Sequence, residues 1–421
     1  MLKAMIPRQA TFQLQSLAQW YPVVAVTGPR QSGKTTLVQA CFPGKPYVSL
    51  EDPDVRESAL SDPRRFLALY PAGAVLDEVQ RVPELFSYLQ TVVDRDRVMG
   101  AWVLTGSQQL GLRSQISQIS QTLAGRVGLL ELLPFTLGEL QAASAGTSAT
   151  ALAQGSLEHL LWQGLYPVPL DRGVPANVWL GDYFSTYVER DVRQMTQVRD
   201  LQTFRTFVRM CAARTSQVLN LSALAADCGI SSHTAKGWLS MLQASYLVFL
   251  LPPHHINFGK QLTKSPKLYF FDTGLAAWLA GIRNADELAI SPMRGPLFET
   301  WAVAEILKTS LHRRLDAQLF FWRDKIGTEV DLLIDQPQGA QTVEFKAGQT
   351  VAGDWFNALR KYQALRTPAD DAPSSQPTPP APRPLLVYGG QQPLVRDAAD
   401  ILPWQQWPAR IGTILQPAPA P

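Results

Sequence analysis

Gly28-Pro29-Arg30-Gln31-Ser32-Gly33-Lys34-Thr35 is the stretch that decides the fold. It satisfies G-x-x-x-x-G-K-[ST] at every position, and it lies between Val23-Val24-Ala25-Val26 and Thr36-Leu37-Val38-Gln39-Ala40. An apolar strand therefore feeds a glycine-rich turn, and the turn feeds a helix N-terminus. Backbone N–H groups around Gly33 and Lys34 can ring a β-phosphate, because the glycines let the backbone approach closely. Lys34 reaches the β- and γ-phosphates as a point charge, and the Thr35 hydroxyl takes a place on Mg²⁺. Gly28, Pro29, Arg30, Gln31, Ser32, Gly33, Lys34, Thr35 and Thr36 are thus the expected nucleotide-binding residues.

The rest of the chain must house that loop. A length of 421 residues exceeds one ordinary core and predicts two or three domains. Hydrophobic residues at 46% against 17% charged fit a soluble globular protein. Cys41, Cys211 and Cys228 are scattered without a C-x-x-C, which suits a reducing cytoplasm and argues against a zinc module. No window supplies the roughly 20 apolar residues of a membrane span, and the first residues carry no leader signature.

A second element follows at a suitable distance. Ala74-Val75-Leu76-Asp77-Glu78 is an apolar run ending in two carboxylates. Asp77 suits a Mg²⁺ shell, and Glu78 suits polarising a water beside a γ-phosphate. The run Ala101-Trp102-Val103-Leu104-Thr105 ends in Gly106-Ser107-Gln108, where Ser107, or else Gln108, would sense the γ-phosphate or position the water. The whole alternates strand, helix, strand (46–50), helix (53–69), strand, helix (84–96), strand, helix, strand. Such alternation gives a parallel sheet with helices on both faces.

Taken jointly, several words resemble a prokaryotic AAA+ ATPase family that joins this core to a C-terminal domain of unknown function. They are the loop through Thr36, Leu76-Asp77-Glu78-Val79-Gln80, Leu104-Thr105-Gly106-Ser107-Gln108 and Leu123-Ala124-Gly125-Arg126-Val127. Pro134-Phe135-Thr136-Leu137-Gly138-Glu139-Leu140, Gly164-Leu165-Tyr166-Pro167 and Tyr187-Val188-Glu189-Arg190-Asp191-Val192 complete the set. The resemblance runs over roughly residues 1–366 and implies binding of ATP with Mg²⁺, and its hydrolysis, without naming a substrate. It departs from the pattern at Leu165, where a second glycine is expected. It also makes Arg126, or else Arg113, an arginine finger acting on a neighbouring subunit of a ring or transient homo-oligomer.

Residues 201–270 change character. A helical run from Phe204 to Thr215 precedes Leu221-Ser222-Ala223-Leu224-Ala225-Ala226-Asp227-Cys228-Gly229-Ile230-Ser231. A short helix, a glycine turn and a second helix opening at Ser231-Ser232-His233-Thr234 form a helix-turn-helix pattern. Tyr246-Leu247-Val248-Phe249-Leu250-Leu251 and Lys267-Leu268-Tyr269-Phe270-Phe271 read as the strands of a wing. Seven bases (Arg205, Arg209, Arg214, Lys236, Lys260, Lys264 and Lys267) face one acid, Asp227, so this segment carries +6 while the chain carries +3. That polarity suits phosphate-backbone contact with nucleic acid. Packing of the same segment on the ATPase core or on a protein partner is the alternative.

In the last third, Glu299, Asp331, Glu344 and Lys346 are spaced as in a PD-(D/E)xK site and resemble the restriction-endonuclease-like fold. Alternation along Thr342-Val343-Glu344-Phe345-Lys346-Ala347 puts Glu344 and Lys346 on one face. The carboxylates would hold Mg²⁺ and Lys346 would orient a water. Glu329 is the alternative ligand to Asp331, or a second one beside it, since the two share a strand face. A solvent-face ion pair, or a fold kept only as a binding platform, are the competing readings.

The expected organisation is an α/β chain: a P-loop AAA+ parallel sheet sandwiched by helices (1–140), then a helical lid or connector (141–200). A winged helix-turn-helix (201–275) and a PD-(D/E)xK-like α/β domain (285–410) follow. The latter holds a disordered insertion at 367–384, and a flexible tail (411–421) ends the chain. Three functions compete: a Mg²⁺-ATPase acting on or near nucleic acid, an ATP-gated metal-dependent nuclease, and a nucleotide-switched protein-binding scaffold.

Overall fold

A computed structural model describes residues 5–106, 123, 125–188, 200–254, 265–336, 339–366 and 382–416. Ser107, Gln108, Arg113, Ala124, Glu189, Arg190, Asp191, Val192, Lys260 and Lys264 lie outside these residues, as does most of the 367–384 segment.

The first unit is built on β1 (Val23–Thr27), β2 (Tyr47–Ser49), β3 (Val75–Asp77), β4 (Trp102–Gly106) and β5 (Val127–Glu131). They lie in the order β2-β3-β4-β1-β5, every pairing parallel. The interior strand β1 is buried along its whole length, as a strand covered on both faces must be. Val24 and Val26 pack with Leu14 and Leu17 of α1 (Ala10–Trp20) and Leu37 and Val38 of α2 (Lys34–Cys41). Val23 and Ala25 point the other way, toward α3 (Pro53–Ser61), α4 (Pro63–Ala68) and α5 (Leu85–Asp96). The single helix expected over 53–69 is two helices. Pro63 cannot continue the ladder of α3, and the Asp62 carboxylate accepts the Arg65 N–H to start α4.

Five short helices follow: α6 (Leu137–Gln141), α7 (Ser148–Gln154), α8 (Leu157–Gln163), α9 (Pro167–Arg172) and α10 (Ala176–Tyr183). Thr136 and Glu139 cap α6 reciprocally. Gly164 needs its positive φ of 71°, and a Cβ there would lie 2.3 Å from the Asp272 carboxylate. That carboxylate accepts the N–H of Leu165, 2.7 Å away, so the departure from a second glycine is absorbed by a buried apolar side chain.

Next come α11 (Leu201–Ala213), β6 (Gln217–Val218), α12 (Leu221–Asp227), α13 (Ser232–Ala244), β7 (Val248–Leu251) and β8 (Lys267–Phe270). These are the expected helix pair and strands. Gly229 turns at φ 66° and Ser231 caps α13. The sheet runs β6-β8-β7. Helices α14 (Thr273–Leu279), α15 (Ala285–Ile290) and α16 (Arg294–Arg313) lead into the second large sheet, of order β13-β14-β12-β11-β10-β9. Its strands are β9 (Leu319–Arg323), β10 (Glu329–Ile334), β11 (Gln341–Lys346), β12 (Leu385–Tyr388), β13 (Leu394–Arg396) and β14 (Ala399–Pro403). Helix α17 (Asn357–Arg366) covers one face and α16 with α18 (Trp407–Ile414) the other. The flexible tail expected from residue 411 is corrected: Ile411 and Trp407 are fully buried, and the Trp407 indole donates to Ala302 O at 2.9 Å.

One apolar core runs without a break from Leu133 to Ile411. Lid helices, helix pair and second sheet share it, so displacing one of them disturbs the packing of the others.

Candidate functional site

The phosphate loop leaves the C-terminal end of β1, where the parallel sheet opens a crevice. Gly28 is fixed there by space, since a Cβ would fall 2.0 Å from Leu132 O at the end of β5. Gly33 turns the chain into α2 with φ 92°. Ser32 is fully buried and its hydroxyl meets no partner among the described residues. A buried hydroxyl without a partner costs about 1–3 kcal/mol.

Lys34 is buried at the first turn of α2, and its ammonium donates to Gly28 O (3.1 Å) and Pro29 O (2.7 Å). Burial lowers its pKa to about 8, against the pull of Glu78 and Asp77. Asp77, at the end of β3, collects three hydroxyls: Thr35 at 3.2 Å, Tyr47 and Thr105. Burial first, then the Asp77 carboxylate, drive the Tyr47 phenol well above its ordinary pKa. Glu78 stands in the left-handed region (φ 56°), hydrogen-bonds Gln80, and faces the same cavity as Lys34. Lys34, Thr35, Asp77 and Glu78 are thus brought together. Tyr47 and Thr105, which sequence reasoning missed, complete the polar floor.

That cavity is about 500 Å³, walled by the loop on one side and by Val168, Asp171 and Arg172 of α9 on the other. A second one, about 540 Å³, adjoins it through Gly33, Thr36, Pro167 and Asp171 and is lined by Ile6, Phe135, Ala149 and Leu170. A polar chamber beside an apolar one matches a phosphate chain beside a heteroaromatic base.

Two elements touch this site from a distance. Tyr246, just after α13 and itself at φ 55°, shares a 2.9 Å hydrogen bond with Thr27, the residue before the loop. Arg8 donates to Ser32 O (2.8 Å), Leu133 O (2.6 Å) and Glu139 (3.1 Å) in a buried knot. His312, near the end of α16, closes the knot by accepting the Leu133 N–H at 3.0 Å, and burial lowers its pKa to about 3.

Arg126 lies at the opposite end of the strands, before β5, where its guanidinium forks onto Asp94 of α5, one arm at 3.1 Å. It therefore stands far from its own phosphate loop.

The second charged centre lies near the start of α16. Glu299, Glu329 and Asp331 present oxygens within 4.8 Å of one another, so Glu329 lies beside Asp331. A register shift in the β9 pairing between Val330 and Leu333 interrupts the ladder beside Asp331. Its carboxylate accepts the Phe345 N–H at 2.9 Å. Glu344 accepts from Lys346 at 2.6 Å. Burial pushes Glu344 up to about 8 and Glu299 up to about 7, with the Asp331 charge adding to both.

A residue the motif did not include completes this centre. Lys267 of β8 reaches Glu299 and Glu329, at 2.5 Å each. This corrects its place among the seven bases counted toward phosphate contact: the four-carbon stem is buried and the charge is taken up by carboxylates. Arg214 likewise pairs with Asp227. Ser232, His233 and Lys236 at the start of α13 are exposed, as is Arg209.

The chain matches the family model described as an AAA domain over residues 21–141. Two models described as domains of unknown function match further on, DUF8612 over 154–286 and DUF4143 over 294–407. The uncharacterized proteins Mb2031c of Mycobacterium bovis and Rv2008c of Mycobacterium tuberculosis are each 30% identical over 365 residues, covering 85% of this chain and 78% of theirs. Among solved structures, the Walker-type ATPase PABY2304 of Pyrococcus abyssi aligns at a TM-score of 0.43 and 14% identity. The alignment covers 66% of this chain and 99% of that one. Among the described residues no helix is long and apolar enough to cross a membrane.

Proposed function

We propose, because this chain belongs to the family that joins an AAA domain to the domain of unknown function DUF4143, that it binds ATP with Mg²⁺ in the crevice above β1 and hydrolyses it. The observation that carries this reading is the cradle around Lys34: a buried ammonium resting on loop carbonyls, an unpartnered Ser32 hydroxyl, and Thr35 bonded to Asp77. A hydroxyl and a carboxylate are hard oxygen donors and fit Mg²⁺, which keeps several waters. Bound there, Mg²⁺ neutralises phosphate charge. Lys34 turns its donors from Gly28 and Pro29 to the phosphates, the amides of the loop hold the β-phosphate, and Glu78 orients the attacking water. Ser107 keeps the sensor role its sequence position suggests. Arg126, at the far end of the strands, serves a neighbouring copy after releasing Asp94.

Nucleotide uptake is read by calorimetry at about pH 7.5; a well-folded protein showing no ATP binding sinks the reading. The same titration has a pH signature. With Lys34 held down to about 8 and the phosphates favouring its charged form, binding takes up a proton above that pH. Proton uptake is expected to be near zero at about pH 7 and to approach one at about pH 9, and affinity to fall about tenfold per pH unit beyond about 8.

The units 1–140, 141–200, 201–275 and 285–410 are read as motor, lid, winged helix and restriction-endonuclease-like domain. Nucleic acid is the partner favoured for the winged helix, on the exposure of Ser232, His233 and Lys236 at the start of α13. Those few groups suit phosphate anchoring. Binding to duplex DNA should weaken with salt and with Lys236→Glu; affinity indifferent to both removes the nucleic-acid part. Cleavage by the C-terminal domain is not part of this reading, because Lys267 already lies against two of the carboxylates that would hold its metal.

A further inference from the structure

Glu299, Glu329, Asp331 and Glu344 gather four carboxylates on α16, β10 and β11. Three of them bring oxygens within 4.8 Å. Like charges so close require a cation between them. Lys346 answers Glu344, and Arg323 reaches only the outer oxygen of Glu329 at 3.4 Å. Part of the remaining charge is met by Lys267, whose ammonium lies 2.5 Å from both Glu299 and Glu329 on a side chain 2% exposed. Tyr269, two residues along the same strand, donates to Glu299 at 2.6 Å. One Glu344 oxygen is buried beside the group and has no partner among the described residues. The cluster thus keeps an acceptor oxygen in hand that neither lysine uses.

We propose that Lys267 is an internal counter-ion occupying the cation position of this cluster, so that strand β8 keeps a divalent metal out of the C-terminal domain and must withdraw before one enters. An ammonium offers one charge and three directed donors, whereas a hard divalent ion offers two charges and takes several oxygens at once. The spare Glu344 oxygen suits the second kind of occupant. Withdrawal of β8 has a structural meaning. The β7–β8 sheet is joined to β9 by the Pro253 bridge to Phe321, by Phe321 N–H to Pro252 O (3.1 Å) and by His254 N–H to Phe321 O (2.6 Å). The strand that carries Lys267 belongs to the helix-pair unit, whose Tyr246 also touches the base of the phosphate loop. Movement of that unit would strain both contacts together. The proposal needs no nucleotide and stands apart from the ATPase reading.

The test is Mn²⁺ binding to the full chain without nucleotide, followed by electron paramagnetic resonance of free Mn²⁺. Wild type is expected to bind no Mn²⁺ that depends on Asp331. Lys267→Met is expected to bind one per chain at least tenfold more tightly, and Lys267→Met with Asp331→Asn to lose it again. Asp331-dependent binding by wild type as tight as by the variant overturns the proposal, as does a folded Lys267→Met chain that binds none. If Lys267→Met does not fold alone, Lys267→Gln, which keeps a donor toward Glu299, is read in the same way. Should neither fold, added Mn²⁺ is expected to restore a cooperative melt, and failure of that rescue also overturns it.

Discussion

Lys34→Ala is expected to lose ATP binding on the calorimetric scale while the nucleotide-free protein melts no lower than wild type. The first half follows from charge-assisted hydrogen bonds. Contacts to two phosphates at about 1.5–3 kcal/mol each amount to roughly 3–6 kcal/mol, a loss of at least about a hundredfold in affinity. The second half follows from burial. Lys34 is held at about 8, below the usual 10.5, so the folded chain binds this proton less tightly than the unfolded chain does. Its charge therefore opposes folding below about pH 8, and stability rises as pH climbs from there toward 10.5. Alanine removes that opposition and flattens the rise. The carbonyls of Gly28 and Pro29 lose their donor, which offsets part of the gain. Glu78→Gln separates binding from chemistry: it should hold ATP as wild type does and turn it over about 10²–10⁴ times more slowly. Wild-type affinity in Lys34→Ala would remove the nucleotide site. Wild-type turnover in Glu78→Gln would move the base elsewhere.

The motor was legible because its signals are local. The loop, the apolar run before it and the Asp77-Glu78 pair each sit within a few residues, so strand, turn and helix could be placed before any contact was known. The sheet order then follows from alternating strands and helices. What escaped notice joins residues far apart in sequence. Tyr47 and Thr105 reach Asp77 across 30 and 28 positions, and Tyr246 reaches Thr27 across 219. No period in the sequence encodes such a pairing. Lys267 shows the limit of charge counting, which treats every lysine as a surface charge. Here the side chain ends among carboxylates 32 and 62 positions away. Two misses did carry a local signal: Asp62-Pro63 is a cap followed by proline at a helix start, and Trp407 with Ile411 is an i, i+4 apolar pair.

Glu139→Ala is expected to be the most destabilising single change near the nucleotide site, at about 3–5 kcal/mol. Glu139 is fully buried and serves three parties at once. It pairs with Arg8 at 3.1 Å, accepts the Gln9 N–H at 2.8 Å, and closes the α6 cap by accepting the Thr136 N–H at 2.9 Å. The Arg8 charge, together with His312 and the two backbone donors, outweighs the cost of burial and holds the Glu139 pKa below the ordinary glutamate value. Alanine leaves a buried guanidinium with only the carbonyls of Ser32 and Leu133. It also uncovers two amides. Glu139→Gln keeps an acceptor for both amides but not the charge, so a melt midway between wild type and alanine divides the cost between ion pair and cap. Because Arg8 grips Ser32 O inside the phosphate loop, loosening Arg8 should also weaken ATP binding. The far end of that grip is α16, through His312. A 20-residue helix spans about 30 Å, and Glu299 sits near its start, so the knot at Glu139 ties the phosphate loop to the helix that carries the second charged centre. Unchanged melting and unchanged ATP affinity in Glu139→Ala would show that the knot carries neither load.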